Sequence, residues 1–169
     1  MGVTVAHGVG AIPGVRLLRP GRHEDERGSF VEVFRESELG SGFVQANHSH
    51  SRAGVLRGLH YHRRQSDAWY VVSGRAQVAL ADLREPGRPV TVTLELSGDD
   101  PAILLIPPGV AHGFLALSDM DLLYWVTEYY DAGDEFGVAW NDPALGVPWK
   151  TSDPILSDRD TTAPRLDPT

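Results

Sequence analysis

The feature that most constrains the fold of this chain is a two-residue alternation of apolar and polar side chains. Val90, Val92, Leu94 and Leu96 are separated by Thr91, Thr93 and Glu95, as in a strand with one buried face. Comparable short runs occur at 29–34, 69–73, 75–83, 102–106 and 122–130, and turn-forming residues separate them at 73–74, 85–87, 97–98 and 107–109. The pattern predicts an all-β sandwich or barrel, with helix limited to one or two turns near 35–39.

The length and the charge narrow the classes of protein that fit this pattern. The 169 residues suit a single domain, 1–169, with an irregular C-terminal tail from about residue 150. The formal net charge of -8 argues against a nucleic-acid polymer as partner, because wrapping phosphates needs a basic surface. The chain lacks cysteine and any apolar run of membrane-spanning length, so we expect no disulfide, no membrane partner and a cytoplasmic location.

The stretch GVLRGLHYHRRQSDAWYVVSG, residues 54–74, carries the candidate chemistry. His60 and His62 are two apart, so they project from the same face of a strand, and Asp67 follows before the next strand. His112 comes after a Pro-Pro-Gly turn. Three imidazoles and one carboxylate form a suitable ligand set for a divalent ion such as iron, manganese, nickel or zinc. We therefore predict that these four side chains converge on one point, unless the histidines only form hydrogen bonds in the barrel wall.

The spacing of these residues resembles the first metal motif of the cupin superfamily. Gly54, His60, His62, Asp67 and Gly74 stand at its positions, with Asp in place of the usual Glu. The segment IPPGVAH, 106–112, resembles the second cupin motif, which supplies the last histidine.

Seven blocks along the chain resemble one family, the dTDP-4-dehydrorhamnose 3,5-epimerases. The resemblance runs from about residue 15 to 165, and its blocks are DERGSFVEVF (25–34), FVQANHSHSRAGVLRGLHY (43–61), ADLR (81–84), IPPGVAHGF (106–114), LLYWVTEYY (122–130), WNDPALGVPW (140–149) and LSDRD (156–160). It implies a cupin jelly roll, a homodimer, and a small-molecule sugar nucleotide as ligand.

The resemblance also implies roles for individual residues. His60 matches the general base of the family, Asp160 the carboxylate that orients it, and Tyr124 the general acid on the opposite face of the sugar. Arg57 matches an arginine that contacts phosphate. Further positions match the family's pocket lining: Glu32, Gln45, Asn47, His112 and Trp140. These residue types suit epimerisation beside a ketone, which removes a weakly acidic C–H proton and returns one to the other face.

The chain departs from the family pattern beside the expected reaction centre. The family carries a lysine that supports the enolate, and Asp67 stands in its place. His62 replaces a glutamine, and the intervening loop is shorter. Both changes introduce a potential metal ligand, and a divalent ion could supply the missing positive charge as a Lewis acid. The sequence thus leaves two roles open for His60, because a coordinated imidazole has no lone pair left to accept a proton.

Three functions follow from these alternatives. The first is an epimerase or isomerase acting on a nucleoside-diphosphate 4-keto-6-deoxysugar, either metal-assisted or without cofactor. The second is a metal-dependent cupin of another reaction class, such as a non-haem iron oxygenase or a lyase. The third is a non-catalytic cupin that binds a sugar nucleotide or a metal.

Overall fold

The computed structural model describes residues 2–3 and 9–166, and most of their regular structure is β. The strands are β1 (Gly2–Val3), β2 (Arg16–Arg19), β3 (Arg22–Asp25), β4 (Gly28–Val31), β5 (Gln45–Ser51), β6 (Leu56–Tyr61), β7 (Asp67–Ser73), β8 (Arg75–Asp82), β9 (Val90–Ser97), β10 (Ile103–Ile106), β11 (Val110–Ala116), β12 (Met120–Val126) and β13 (Phe136–Gly137). The helices are short: α1 (Glu36–Leu39), α2 (Asp158–Thr161) and single 3-10 turns at Val9–Ala11 and Ala132–Asp134. The predicted helical turn near 35–39 is confirmed by α1.

The strands form two main antiparallel sheets and one hairpin. The larger sheet has the order β1-β2-β10-β7-β12-β5, and the smaller sheet has the order β13-β6-β11-β8-β9. Neighbours in the larger sheet are distant in sequence, as in β10 against β2 and β7, whereas β3 and β4 pair only with each other. Apolar side chains from both sheets build the main core, including Leu80, Leu104, Ile106 and Phe114. The predicted all-β fold is confirmed, in the form of a jelly-roll barrel.

Burial along β9 tests the predicted alternation directly. Val92 and Leu96 are buried and Leu94 packs partly buried against the core, whereas Glu95 is exposed. Val90 departs from the pattern, with 42% of its surface exposed, because it lies at the start of the strand. A single buried face thus explains the periodicity of this strand.

Two facing glycines set the geometry where β6 meets β11. A Cβ atom at Gly113 would lie 2.7 Å from the carbonyl oxygen of Arg57, and one at Gly58 would lie 2.7 Å from Cα of Gly113. The register between the strands shifts between His112 and Phe114 at this contact. The close approach leaves His60 and His112 directly opposite each other across the two strands.

The C-terminal segment is more ordered than the predicted irregular tail. Ile155 forms a parallel bridge with Val55, and α2 follows with Ser157 as its N-cap. The helix is short, yet it buries Asp160, which is 4% exposed. The ends of the predicted 1–169 domain, residues 1, 4–8 and 167–169, lie outside the described residues. In the described part of the chain, no helix has the length and apolar character needed to cross a membrane.

Candidate active site

A cavity of about 420 Å³ is lined by side chains from both main sheets. The larger sheet contributes residues of β5, β7 and β12, and the smaller sheet contributes residues of β6 and β11. Most of the site residues predicted from the sequence line this cavity: Gln45, Asn47, Arg57, His60, His62, Asp67, His112 and Tyr124. The barrel therefore brings together residues that are far apart in sequence; Gln45 and Tyr124 are separated by 79 positions.

His60 forms a short hydrogen bond with Asp160, as predicted. His60 Nε2 lies 2.6 Å from Asp160 Oδ1, although the residues are 100 positions apart in sequence. The backbone N–H of Asp160 donates to Ser157 Oγ at the start of α2, which fixes the carboxylate in place. An ionised carboxylate only accepts, so Nε2 carries the hydrogen and Nδ1 holds the free lone pair.

The environment keeps Asp160 ionised. Burial acts to raise its pKa, but the hydrogen bond from His60, the charge of that ring, and hydrogen bonds from Ser157 and the Gly58 backbone outweigh burial and lower the pKa below its usual value of 3.8. At neutral pH the carboxylate is therefore a fixed negative charge behind the imidazole of His60.

Tyr124 faces the same cavity from the other sheet. It lies on β12, where it is paired with Asn47 and Trp69 on the neighbouring strands. Burial raises the pKa of Tyr124, and the negative charges of Asp67 and Glu135 raise it further. The phenol therefore stays protonated at neutral pH and can donate a proton. His60, Asp160 and Tyr124 are called here the proton-transfer set.

A second group of titratable side chains lies in the cavity wall: His62, Asp67 and His112, called here the carboxylate–imidazole cluster. Their potential ligand atoms all lie within 4.8 Å of one another. Asp67 and His112 are 4% and 5% exposed, and His112 Nε2 lies 3.7 Å from Asp67 Oδ2. All four side chains of the predicted ligand set line the cavity, but only three of them have ligand atoms within 4.8 Å of one another; His60 is not in this group, and its Nε2 is hydrogen-bonded to Asp160.

Hydrogen bonds hold every member of the carboxylate–imidazole cluster. Nδ1 of His62 lies 2.8 Å from the carbonyl oxygen of Asp134, and Nδ1 of His112 lies 3.0 Å from that of Val110. A carbonyl oxygen only accepts, so both Nδ1 atoms carry the hydrogen and both Nε2 atoms have free lone pairs. Asp67 accepts at Oδ1 from the Gln65 amide (2.8 Å) and at Oδ2 from the Trp69 indole (3.1 Å). Burial lowers the pKa of His112 to about 4, although the negative charge of Asp67 acts to raise it.

Polar residues line the cavity near the proton-transfer set as well. Arg57 lies on β6, where its Nε donates to Ser51 Oγ (3.0 Å) and its Nη2 to the carbonyl oxygen of His50 (3.2 Å). Gln45 Nε2 donates to Asn47 Oδ1 at 2.9 Å on β5. These contacts fix one guanidinium and two amides in the cavity lining.

Two predicted substrate-binding residues lie elsewhere. Glu32 pairs with Arg35 at 2.6 Å beside a second, smaller cavity of about 220 Å³. Trp140 lies after β13, where its carbonyl oxygen accepts from the indole of Trp149. Neither side chain lines the main cavity of the single chain. Glu32 follows the exposed hairpin β3–β4, and no residue of this hairpin lines the main cavity.

The sequence did not single out the loop after β12 or its role at the cavity. Asp134 lines the cavity, accepts backbone hydrogen bonds from Arg63 and Arg64, and supplies the carbonyl oxygen that fixes His62. The acidic run DAGDE, 131–135, in the loop after β12 was the available local signal. Its pairing with residues about 70 positions earlier has no local signal at all.

Comparisons with known proteins agree on one family. The model of the dTDP-4-dehydrorhamnose 3,5-epimerase family matches residues 10–168. The spore coat polysaccharide biosynthesis protein SpsL of Bacillus subtilis is 40% identical over 147 residues, covering 83% of this chain and 97% of that protein. The dTDP-4-dehydrorhamnose 3,5-epimerase of Salmonella typhimurium is 38% identical over 170 residues, covering 93% of each chain.

A solved structure shows the same fold over nearly the whole chain. The dTDP-4-dehydrorhamnose 3,5-epimerase of Bacillus anthracis, with TDP and PPi bound, superposes with a TM-score of 0.89 at 36% identity. The match covers 98% of this chain and 99% of that one. This likeness confirms the cupin-like jelly roll.

Proposed function

Since the chain belongs to the dTDP-4-dehydrorhamnose 3,5-epimerase family and is therefore a sugar-nucleotide epimerase, we propose a substrate and the residues that act on it. The substrate is a nucleoside-diphosphate 4-keto-6-deoxysugar, and the proton-transfer set catalyses its epimerisation. Family membership favours this function over a metal-dependent cupin of another reaction class and over a non-catalytic binding protein. The observation that supports the proposed roles is the 2.6 Å hydrogen bond between His60 and Asp160 in a cavity that Tyr124 lines from the opposite sheet.

The first step removes a proton from the carbon beside the C4 ketone, at C3 or C5. His60 accepts this proton on Nδ1, the nitrogen that Asp160 leaves free. The electron pair of the broken C–H bond becomes the C=C bond of an enolate, and the carbonyl π electrons move onto O4. An imidazole suits this transfer, because its free nitrogen can accept the proton while the Asp160 carboxylate stabilises the imidazolium that forms.

The second step returns a proton to the same carbon from the other side. The Tyr124 hydroxyl donates it, the C=C electrons form the new C–H bond, and the carbonyl is restored. Since His60 and Tyr124 lie on different sheets, the two proton transfers take place on opposite faces of a ring held between them. The configuration inverts with no net oxidation, and solvent restores the protonation states of both side chains.

Asp160 acts on this chemistry through His60. Its carboxylate selects the tautomer with hydrogen on Nε2, holds the ring in one orientation and stabilises the imidazolium that forms. It is a positioning residue, since it lies behind the imidazole on α2.

Arg57 is proposed to hold the diphosphate, with Gln45 and Asn47 placing the sugar. A guanidinium is well suited to phosphate oxygens because it offers several N–H donors in a fixed plane. The relative from Legionella pneumophila, whose structure contains dTDP-4-keto-L-rhamnose, superposes with a TM-score of 0.84 at 37% identity over 92% of this chain and 89% of that one. The match supports the same ligand class here.

The proposal includes a homodimer and a cytoplasmic location. Phe30 in the hairpin β3–β4 is 66% exposed, and all four residues of β3 are exposed. The residues of β3 are polar or charged, so Phe30 supplies the apolar contact that a second copy would cover. In such a dimer, contact through the hairpin would place Glu32, the residue that follows β4, near the other copy, and would give it a role that it lacks in the single chain.

Solvent deuterium exchange tests the proposed reaction. We expect deuterium to enter dTDP-4-keto-6-deoxyglucose at C3 or C5 in the presence of the purified protein, measured by proton NMR. Asp160→Asn should slow this exchange about 100-fold or more, because the imidazole loses its orienting charge. Asp158→Asn, an exposed position on the same helix, is the matched control and should exchange at the wild-type rate. Absence of exchange at both carbons, in protein supplied with each divalent ion in turn, would contradict the proposal.

A further inference from the structure

The cavity has an excess of negative charge that does not suit an enolate. Among the described residues that line it, Arg57 is the one lysine or arginine, whereas five acids line it: Asp67, Glu128, Asp131, Asp134 and Glu135. An enolate oxygen develops negative charge, and removal of the α-proton requires positive charge or hydrogen-bond donors beside it. The site thus needs a further source of positive charge.

Asp67 differs from Asp131, Asp134 and Glu135 in its partners, and from Glu128, which is exposed, in its burial. Asp131 and Asp134 pair with Arg64 at 2.5 and 3.7 Å, and Glu135 pairs with Arg159 at 2.7 Å. Asp67 is the more deeply buried, yet its hydrogen-bond donors are the neutral amide of Gln65 and the neutral indole of Trp69. In the described part of the chain no lysine or arginine pairs with it. A buried carboxylate is costly without a cationic partner.

We propose that the carboxylate–imidazole cluster is a binding site for one divalent transition-metal ion, with Asp67, His62 Nε2 and His112 Nε2 as ligands. The ion would be the missing cationic partner of Asp67. Its role in catalysis rests on the proposed epimerase function, but its binding does not.

The tautomers of the two histidines already suit a metal. In each ring the hydrogen is on Nδ1, where a backbone carbonyl accepts it: Asp134 for His62 and Val110 for His112. Each Nε2 therefore has a lone pair directed away from that contact. A hydrogen bond from the second ring nitrogen to a carbonyl or carboxylate is the usual support for a metal-bound histidine, since it fixes the ring and raises its basicity.

The spacing of the ligand atoms also fits. Two ligands on one tetrahedral zinc ion, each at about 2.1 Å, lie about 3.4 Å apart. His112 Nε2 and Asp67 Oδ2 are 3.7 Å apart, and all three ligand atoms lie within 4.8 Å of one another. Contraction by about 0.3 Å at the first pair and by up to about 1.4 Å at the others brings the set to bonding distance. The Gln65 and Trp69 hydrogen bonds meanwhile fix the carboxylate orientation.

The donor set points to a class of ion. Two imidazoles and one carboxylate, without sulfur, suit divalent iron, manganese, cobalt, nickel or zinc, and such a set leaves coordination positions open. His60 is not required as a ligand, so it remains available as the base. When bound, the ion would supply positive charge close to the proton-transfer set, where an enolate oxygen requires it.

Cobalt binding tests the site without reference to activity. Protein stripped with a chelator and titrated with Co²⁺ should take up one equivalent per chain, with visible d–d absorption typical of nitrogen and oxygen ligands. Asp67→Asn should weaken binding by more than about 100-fold, beyond the 10–100-fold cost of losing an outer partner. The control is the double variant His48→Gln/His50→Gln, since both residues are exposed histidines that contact Asp121 outside the cavity. It should bind Co²⁺ like the wild type.

Two results would overturn the metal site. One is that wild-type protein takes up less than a tenth of an equivalent; the other is that uptake survives Asp67→Asn but is lost in the double histidine control. Epimerisation by protein shown to be metal-free would overturn the catalytic role of the ion and leave the proposed function intact. Stoichiometric, Asp67-dependent uptake without any deuterium exchange would instead support the site and contradict the epimerase chemistry.

Discussion

The proton-transfer set and the carboxylate–imidazole cluster share one cavity but use their histidines in opposite ways. His60 donates from Nε2 to a carboxylate, which leaves Nδ1 free, whereas His62 and His112 donate from Nδ1 to backbone carbonyls, which leaves Nε2 free. The partner of His60 is a charge on a short helix 100 residues away, and the partners of the other two are main-chain atoms. The role of each ring follows from the nitrogen that its partner occupies.

This difference supports dividing between separate histidines the two roles that the sequence left open for His60. A single imidazole cannot be both base and ligand, but neighbouring imidazoles can divide the roles. His60 and His112 face each other across β6 and β11, so the division occurs within one pair of opposed residues. Asp67, at the position where the family resemblance implies a lysine, lies in one part of the cavity, while the geometry of the other part suits acid–base chemistry.

The sharpest way to separate the two groups is His60→Asn. We expect the variant to lose deuterium exchange by about 10²–10⁴-fold, the usual contribution of a general base. Its uptake of Co²⁺ should stay at one equivalent, because His60 lies outside the carboxylate–imidazole cluster. Exchange is measured by proton NMR and uptake by absorption. Loss of metal uptake in this variant would mean that His60 is a fourth ligand and that the groups are not separate.

Tyr124→Phe separates the two proton transfers that we assign to the proton-transfer set. The acid acts after enolate formation, so epimer formation should fall about 10–100-fold while deuterium exchange at the same carbon falls much less. Both are followed in one sample, exchange by NMR and product by chromatography. Tyr129→Phe is the matched control, because its ring is 71% exposed at the cavity rim. Equal losses in exchange and product would place Tyr124 in the first proton transfer instead.

The comparison also shows which parts of the molecule the sequence could predict. The alternation on β9 and the turn residues between strands indicated the all-β fold, since both are local patterns. The pairing of His60 with Asp160 followed from the family resemblance and is present in the structure. No periodicity could have provided it, because it depends on Ile155 and α2 returning the chain to β6.

The parts of the site prediction that the single chain does not reproduce have a common physical feature. The predicted four-ligand set placed His60 and His62 together because residues i and i+2 share a face of a strand. His62 lies just past the end of β6, where the Asp134 carbonyl oxygen and not the pleat orients the ring. Glu32 and Trp140 were assigned to the pocket by position in the family blocks; in the single chain Glu32 follows an exposed hairpin and Trp140 follows β13. Side-chain direction at strand ends depends on distant contacts that a sequence pattern does not contain.

The close approach of β6 and β11 supports both groups, and Gly113→Ala should weaken it. The added methyl group would lie 2.7 Å from the Arg57 carbonyl oxygen and 2.9 Å from Leu59 Cδ2, both too close. We expect a loss of about 1–3 kcal/mol in the free energy of unfolding, the usual cost of overpacking, measured by urea denaturation. Gly137→Ala is the control, since its methyl group would meet Ala163 at an ordinary 3.6 Å. Comparable losses in both variants would show that the strand separation is not specially constrained at Gly113.

The smallest expected effect is on the pH dependence of stability, and it concerns the proton-transfer set. Although burial opposes it, the hydrogen bond from His60 and the other contacts of Asp160 lower the pKa of this carboxyl in the folded state. A group whose pKa is depressed on folding contributes stability above its unfolded pKa, and that contribution is lost as the pH falls through the folded value. Wild-type protein should therefore be more stable than Asp160→Asn at pH 5–7, and the difference should shrink below about pH 4, near the ordinary aspartate pKa. Urea denaturation at several pH values measures it, with Asp158→Asn expected to follow the wild type throughout. A difference that stays constant down to pH 2.5 would show that Asp160 stabilises the fold by packing and not through its charge beside His60.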